Sequence, residues 1–339
     1  ISEVETEKIS KIEKEINEKL KSSYSSLNEW QKTQVARHED RPKAKFFIEN
    51  LFSNFINLSG DRRFSEDEAV IAGFAEFNGK SVLVIGQEKG EDLDTRLKRN
   101  FGMVSPSGYR KAIRLMKLAD KFNIPVISFV DTPGAAANIS AEKMGQAEAI
   151  ASSIECQMSL KVPVIAIVIG EGGSGGAIAL ASANKVLMLE NAIYSVISPE
   201  GCATILWKDP SKTLEAAKAM KLTATELLKI GVIDEVIDEP LGGAHRNKFE
   251  TIKSVELSIK KYLEEFSSYS REEILEQRSK KFLSIGKHKS FNVFSKNSIN
   301  LLQKDSLILM IKEKFFRHKY KFLALLSLIL VVVYFSISL

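Results

Sequence analysis

Val162-Pro163-Val164-Ile165-Ala166-Ile167-Val168-Ile169-Gly170-Glu171-Gly172-Gly173-Ser174-Gly175-Gly176-Ala177-Ile178-Ala179-Leu180-Ala181-Ser182-Ala183 decides the fold. From Val164 to Ile169 the run is apolar without polar alternation, the pattern of a strand covered on both faces in a parallel sheet. It then passes through paired glycines around Ser174 into a small-residue helix. Glycine leaves no side chain to keep a ligand away. Backbone N–H groups at the helix start are therefore expected to point into a cavity and hold developing negative charge, as an oxyanion site does.

The segment has an echo upstream. Ile124-Pro125-Val126 opens a strand ending in Asp131-Thr132-Pro133-Gly134-Ala135, just as Val162-Pro163-Val164 opens the one ending in the glycine cluster. Both put an amide-rich turn at a strand's C-terminal end, where open α/β sheets bind ligands. Before them, strands over 70–77 and 81–85 flank Asn78-Gly79, a hairpin signal. A loop over 86–107, a helix over 108–122, a strand over 126–130 and a helix over 141–160 lead to the central strand, 164–169. Apolar runs at 185–189 and 193–197, a helix start at Pro199-Glu200-Gly201, a helix at 223–228 and a strand at 232–237 follow. Strands alternating with helices make the fold α/β, with a largely parallel sheet covered on both faces.

The ends are helical. Ile1, Val4, Ile9, Ile12, Ile16 and Leu20 recur near helical spacing among Glu and Lys, an amphipathic helix that needs another surface, which a partner subunit can supply. A helix-like run over 42–58 carries the core stripe Phe46, Phe47, Leu51, Phe52 and Phe55 until Gly60-Asp61-Arg62-Arg63 breaks it. Beyond Gly242-Gly243, helical periodicity covers 249–266 and 272–283. This divides the chain into a helical, subunit-facing region (1–60), a catalytic core (61–248), C-terminal helices (249–291) and an atypical tail (292–339).

Composition narrows the function. With 339 residues, 44% hydrophobic and 27% charged, the chain affords a large α/β core. A net charge of +5, dispersed except near the C-terminus, gives no reason to expect specific nucleic-acid binding. Cys156 and Cys202 stand apart with no CxxC or HExxH, so no metal site is expected, and a cytoplasmic, reducing setting fits. Ile1 to Ser25 is charged and does not read as a secretory leader. The 18 residues Phe322 to Leu339 carry no charge and follow Lys312, Lys314, Arg317, Lys319 and Lys321. As a helix they would extend about 27 Å, so membrane tethering is one expectation, against a buried helix or an extension without function.

Several motifs have competing readings. Gly172-Gly173-Ser174-Gly175-Gly176 matches G-x-S-x-G at a strand-to-helix turn, the setting of a serine nucleophile, with His245 and Asp234 or Asp238 as partners. Asp131-Thr132-Pro133-Gly134 resembles a GTPase element, but no G-x-x-x-x-G-K-[ST] precedes it, which excludes a P-loop nucleotidase. For a single glycine turn, close helix-to-strand contact explains the pattern equally well; two on adjacent strands favour a site. Lys98, Arg99, Arg110, Lys111 and Arg114 suit an anion such as carboxylate or phosphate, whereas Lys117 and Lys121 read as a solvent face.

Gln34-Val35-Ala36-Arg37-His38 with Arg41-Pro42, Gly60-Asp61-Arg62, Ile85-Gly86-Gln87-Glu88-Lys89-Gly90, Asn100-Phe101-Gly102-Met103, Asp131-Thr132-Pro133-Gly134-Ala135, Gly170 to Ala177, Tyr194-Ser195-Val196-Ile197-Ser198-Pro199-Glu200-Gly201 and Pro240-Leu241-Gly242-Gly243-Ala244-His245-Arg246 together resemble the carboxyltransferase α subunits of bacterial and plastid acetyl-CoA carboxylase. The resemblance spans about 1–291 and leaves out the tail. It implies a crotonase-like (ClpP/crotonase) ββα superhelix and an α2β2 assembly in which the β subunit carries the zinc and most acetyl-CoA contacts. It also implies a transfer of the carboxyl group from carboxybiotin, held on the biotin carboxyl carrier protein and charged by biotin carboxylase, to acetyl-CoA, giving malonyl-CoA for fatty acid synthesis. Amides of Gly175, Gly176 and Ala177 would then stabilise the ureido oxygen, with Gly172, Gly173, Gly134 and Ala135 shaping the pocket. No side-chain base is implied, because the biotin anion accepts the acetyl proton. Another crotonase-fold CoA-ester enzyme, the serine hydrolase, and a binding protein that kept the fold are the competing expectations.

Overall fold

The computed structural model describes residues 3–286, with side-chain surroundings from residue 8. It opens with helices α1 (Glu3–Tyr24), α2 (Glu29–Ala36) and α3 (Ala44–Leu51). The chain then forms β1 (Ser53–Asn57), β2 (Val70–Phe77) and β3 (Lys80–Gln87), with β1 antiparallel to β2 and β2 antiparallel to β3. After α4 (Leu93–Lys98) and α5 (Pro106–Lys121) comes β4 (Val126–Thr132), parallel to β3. Helices α6 (Ile139–Lys143) and α7 (Gln146–Ser159) precede β5 (Val164–Gly173), parallel to β4, and α8 (Ser174–Ala181). Strands β6 (Lys185–Leu189) and β7 (Ile193–Ser195) both pair with β5, β7 at its C-terminal end. The described part closes with α9 (Pro199–Cys202), α10 (Thr213–Met220), α11 (Ala224–Lys229), β8 (Glu235–Ile237), α12 (Lys248–Phe266) and α13 (Arg271–Ser284).

The sheet order is β1-β2-β3-β4-β5-β6-β8, so β4 and β5 sit in its middle and are buried along their whole length. Neighbouring residues of β4 show that both faces are covered. Ser128 Oγ donates to Leu180 O of α8, while the next residue, Phe129, stacks on Phe47 of α3 with ring centroids 5.4 Å apart. Successive strand side chains point to opposite faces. One face therefore carries α8, the other α3.

Three sequence expectations meet competing physics. The 42–58 run stops at Leu51 because Phe52 turns extended and 53–57 pair with β2, although Phe47 and Phe52 keep their places in the core. The long helix expected over 141–160 is broken by Gly145, whose φ of 79° lies in the left-handed region. Within the expected 86–107 loop, the Asp92 side chain caps Thr95 N and starts α4. The expectation of membrane tethering is withdrawn: among the described residues no helix is long and apolar enough to cross a membrane. Residues 322–339, which prompted it, lie outside the described residues.

Candidate active site

Strands β4 and β5 run side by side, and Thr132 pairs with Gly172 at their ends. Both amide-rich turns therefore leave the sheet together. At Gly173 an added Cβ would lie 2.2 Å from Pro133 O, and at Gly176 it would lie 2.6 Å from both Ala135 N and Gly134 C. Only glycine allows the 133–135 backbone to come this close to the start of α8. The structure thus brings together Gly134, Ala135, Gly173 and Gly176. Gly172 faces elsewhere, 2.7 Å from Tyr194 Cδ2 by the same construction, and Gly175 faces the Ile150 side chain at an ordinary 3.6 Å. Ala177 is fully buried.

Helix α8 starts abruptly. Ser174 takes a left-handed φ of 52°, a strained conformation for a serine, and Gly173 contributes no side-chain cap. First-turn N–H groups of a helix have no intrahelical acceptor, and this describes Gly175 and Gly176; Ala177 N–H begins the ladder toward Gly173 C=O. The peptide that follows, Gly176–Ala177, is held at its carbonyl. Gln87 Nε2 donates to Gly176 O at 2.7 Å and the Tyr109 hydroxyl reaches the same oxygen at 3.4 Å. Burial pushes the Tyr109 phenol upward, so it remains a neutral donor. The neighbouring turn is pinned by Thr132, whose Oγ1 accepts Gly134 N–H at 3.1 Å and donates to Gly134 O at 2.6 Å.

Next to these turns lies a cavity of about 250 Å3, walled by Arg37, His38, Lys89, Asp131, Pro133 and Glu171 among others. A charge network crosses it. Lys89 Nζ sits 2.8 Å from Asp131 Oδ1 and 2.7 Å from Glu171 Oε2, and Arg37 reaches Glu171 and Glu200 at 2.6 Å each. Asp131 Oδ1 also accepts Glu171 N–H at 2.9 Å. Burial alone would raise Glu171, but Lys89 and Arg37 hold it below the ordinary carboxylate range. Against burial, the Asp131 and Glu171 carboxylates raise Lys89. Sequence reading quoted Lys89 and Glu171 inside motifs without giving them roles, and never paired Arg37 with either. No spacing rule finds them, because Arg37–Glu171 and Lys89–Glu171 are contacts between distant parts of the chain.

The serine-hydrolase arrangement is not assembled. His245 stacks on His38 with centroids 3.8 Å apart, and among the described residues no hydrogen bond joins Ser174 to either ring. Asp234 is engaged elsewhere, accepting Val186 N–H at 2.6 Å and pairing with Lys281. Burial, then the neighbouring His38, lowers His245 and keeps it neutral near pH 7.

This geometry can be set beside known proteins. In fold the chain is similar to transcarboxylase 12S, a structure with methylmalonyl-coenzyme A bound, at TM-score 0.56 and 19% identity, covering 68% of this chain and 43% of that one. It is also similar to a Pseudomonas malonate decarboxylase hetero-dimer at TM-score 0.52 and 15% identity, covering 63% and 88% respectively. The chain spans under half the length of the transcarboxylase chain. These likenesses show a crotonase-like fold. The family model for acetyl co-enzyme A carboxylase carboxyltransferase-like proteins matches residues 2–286. The acetyl-coenzyme A carboxylase carboxyl transferase subunit alpha of Pelagibacter ubique is 61% identical over 339 residues, 100% of this chain and 92% of the relative. That of Rhodopseudomonas palustris strain BisA53 is 56% identical over 281 residues, 83% of this chain and 88% of the relative. The chain belongs to the acetyl-coenzyme A carboxylase carboxyltransferase family, among its α subunits. Because the Pelagibacter match runs the full length of this chain, the tail that sequence reading set apart from the family is shared with at least one member.

Proposed function

We infer that the chain is the α half of a carboxyltransferase that moves the carboxyl group of carboxybiotin to acetyl-CoA and yields malonyl-CoA for fatty acid synthesis. Family membership carries the reaction; the contact of the Gly134–Ala135 turn with Gly176 carries the site. Carboxybiotin supplies the transferable carboxyl group, and as that group leaves, negative charge gathers on the ureido oxygen. The amides of Gly175 and Gly176 serve as donors to that oxygen, with Ala177 closing the turn, and Gly172, Gly173, Gly134 and Ala135 shape the surrounding wall. One such preorganised donor contributes roughly 3 kcal/mol at the transition state. Gln87 and Tyr109 anchor the first turn of α8, which carries these donors, by holding the Gly176 carbonyl of the adjoining Gly176–Ala177 peptide. Lys89 and Arg37 keep Glu171 ionised, and Lys89, bridging Asp131 and Glu171, fixes the two strand ends relative to each other.

The chain acts with a β subunit. We assign to that subunit the zinc and most acetyl-CoA contacts, in an α2β2 assembly served by the biotin carboxyl carrier protein and biotin carboxylase. The stripe Ile9, Ile12 and Ile16 on α1, each about half exposed, supports a subunit-facing role for 1–60, with 61–248 as the catalytic core and 249–291 as its helical support. Purified chain should form malonyl-CoA from acetyl-CoA and carboxybiotin only when mixed with the β subunit. Turnover by the chain alone, or none by the mixture, would contradict the reading.

A further inference from the structure

Away from the candidate active site, a groove of about 670 Å3 runs between the 60–66 loop and the outer face of α5. Arg62 and Arg63 stand on one side; Arg110, Arg114, Lys117 and Lys121 stand on the other. The last four share one helix face and extend over about 16 Å. The wall's carboxylates are held by the fold, with Asp61 Oδ2 alone buried without a partner. Asp61 Oδ1 accepts the N–H groups of Arg63, Phe64 and Ser65 at 2.8, 2.8 and 3.2 Å, and Glu148 takes Arg110 and the Ser152 hydroxyl at 2.9 Å each. The ion pairs on this face are Arg110–Glu148 and Lys111–Glu66; Arg62, Arg63, Arg114, Lys117 and Lys121 make none among the described residues.

The loop is built rather than slack. Its Asp61 cap holds Arg62 at a left-handed φ of 62°, a conformation that persists only where surroundings enforce it. Arg114 spends its Nη2 on the carbonyls of Ser59 and Gly60 at 3.2 and 3.0 Å, while its Nε is buried without a partner. Burial and then the Arg62 charge pull Arg114 below its ordinary value, more than Glu66 and Asp61 restore. The cations therefore face one another without matching counter-charge.

We propose that this groove binds a small molecule carrying two or more phosphates. Guanidinium forks match phosphate oxygens bidentately, and five cations without carboxylate partners exceed what a monoanion neutralises. Ile113 and Leu118 in the same groove, with the exposed Phe64 ring 5.4 Å from the Arg110 guanidinium, leave apolar surface beside the charges for a ring to rest on. A nucleotide and an inorganic phosphate chain share this chemistry.

Titration calorimetry of the assembled enzyme with inorganic tripolyphosphate, at near-physiological salt and with sulfate as comparator, tests the proposal. Saturable binding at least tenfold tighter than sulfate is expected. Arg62→Ser with Lys117→Ser removes two exposed charges that make no hydrogen bond in the fold, and should weaken that binding at least tenfold with malonyl-CoA formation unchanged. ADP binding tighter than pyrophosphate would identify a nucleotide; the reverse would identify a phosphate chain, and either supports the site. Equal binding of tripolyphosphate and sulfate, or unaltered binding by the double variant, would overturn it. So would a variant that fails to join the β subunit while the parent ignores tripolyphosphate, since the face would then be a subunit interface.

Discussion

Lys89 Nζ lies 2.7 Å from Glu171 Oε2, tying the segment just after β3 to the C-terminal end of β5, next to Gly172 and Gly173. The same ammonium holds Asp131 at 2.8 Å, so one cation fastens both strands whose ends form the candidate site. Lys89→Met would leave two largely buried carboxylates facing each other. Breaking such a pair by removing one partner costs about 3 kcal/mol, and displacement of the turns should lower kcat by at least tenfold. Lys89→Arg should restore much of both. Thermal melts and steady-state malonyl-CoA formation check this, and an unchanged kcat would remove Lys89 from its positioning role.

The same network sets a pH dependence. Glu171 is held below its ordinary value of 4.5, so the unfolded chain takes up its proton more readily than the folded one. The stabilisation is present above pH 4.5 and is lost as pH falls through the depressed folded value. Glu171→Gln should therefore flatten the acid limb of the stability curve. Lys89, raised above 10.5, contributes below that pH and loses its contribution as pH rises through the folded value. Denaturant midpoints measured across both limbs check the two signs.

Two neighbouring glycines should behave differently. Gly175→Ala places its methyl 3.6 Å from the Ile150 side chain, an ordinary contact that leaves the amide in place, so rate and stability should stay within about twofold and about 0.5 kcal/mol of the parent. Gly176→Ala drives its methyl to 2.6 Å from the Gly134–Ala135 backbone and must part the turns. A loss of about 100-fold in kcat, the scale of one misplaced donor, is expected with β-subunit assembly retained. Similar rates for the two variants would defeat this assignment of the wall.

Arg278 is a stability element remote from the chemistry. It is fully buried in α13 and donates to the carbonyls of Gln157, Leu160 and Val162 at 2.8 to 3.1 Å, closing the C-terminal end of α7. Arg278→Met strips those carbonyls of their donors and should cost about 3 kcal/mol in urea unfolding, with kcat of the folded enzyme unchanged.

Strands, hairpin and both glycine turns were legible because their signals are local. The mostly apolar 126–130 stretch of β4, the unbroken apolar run 164–169 of β5 and the Asn78-Gly79 turn need no distant partner to be read. What was missed depends on contacts between distant residues. Pairing of 53–57 with β2 overrode a helical aromatic stripe, and the Arg37–Glu171–Lys89 network joins three separate parts of the chain. Glycine spacing likewise named Gly172 and Gly176 alike, yet only packing distinguishes one facing Tyr194 from one facing the opposite turn. Lys117 and Lys121 are exposed, as the solvent-face reading expected, but their sequence gives no sign of the Arg62 loop that stands across the groove from them.

A structure of the assembled enzyme with the biotinylated carrier domain bound tests the central claim most directly. The ureido oxygen should lie about 3 Å from the backbone nitrogens of Gly175 and Gly176. Those nitrogens engaged in bonds within the protein, with the ureido ring seated elsewhere, would contradict it.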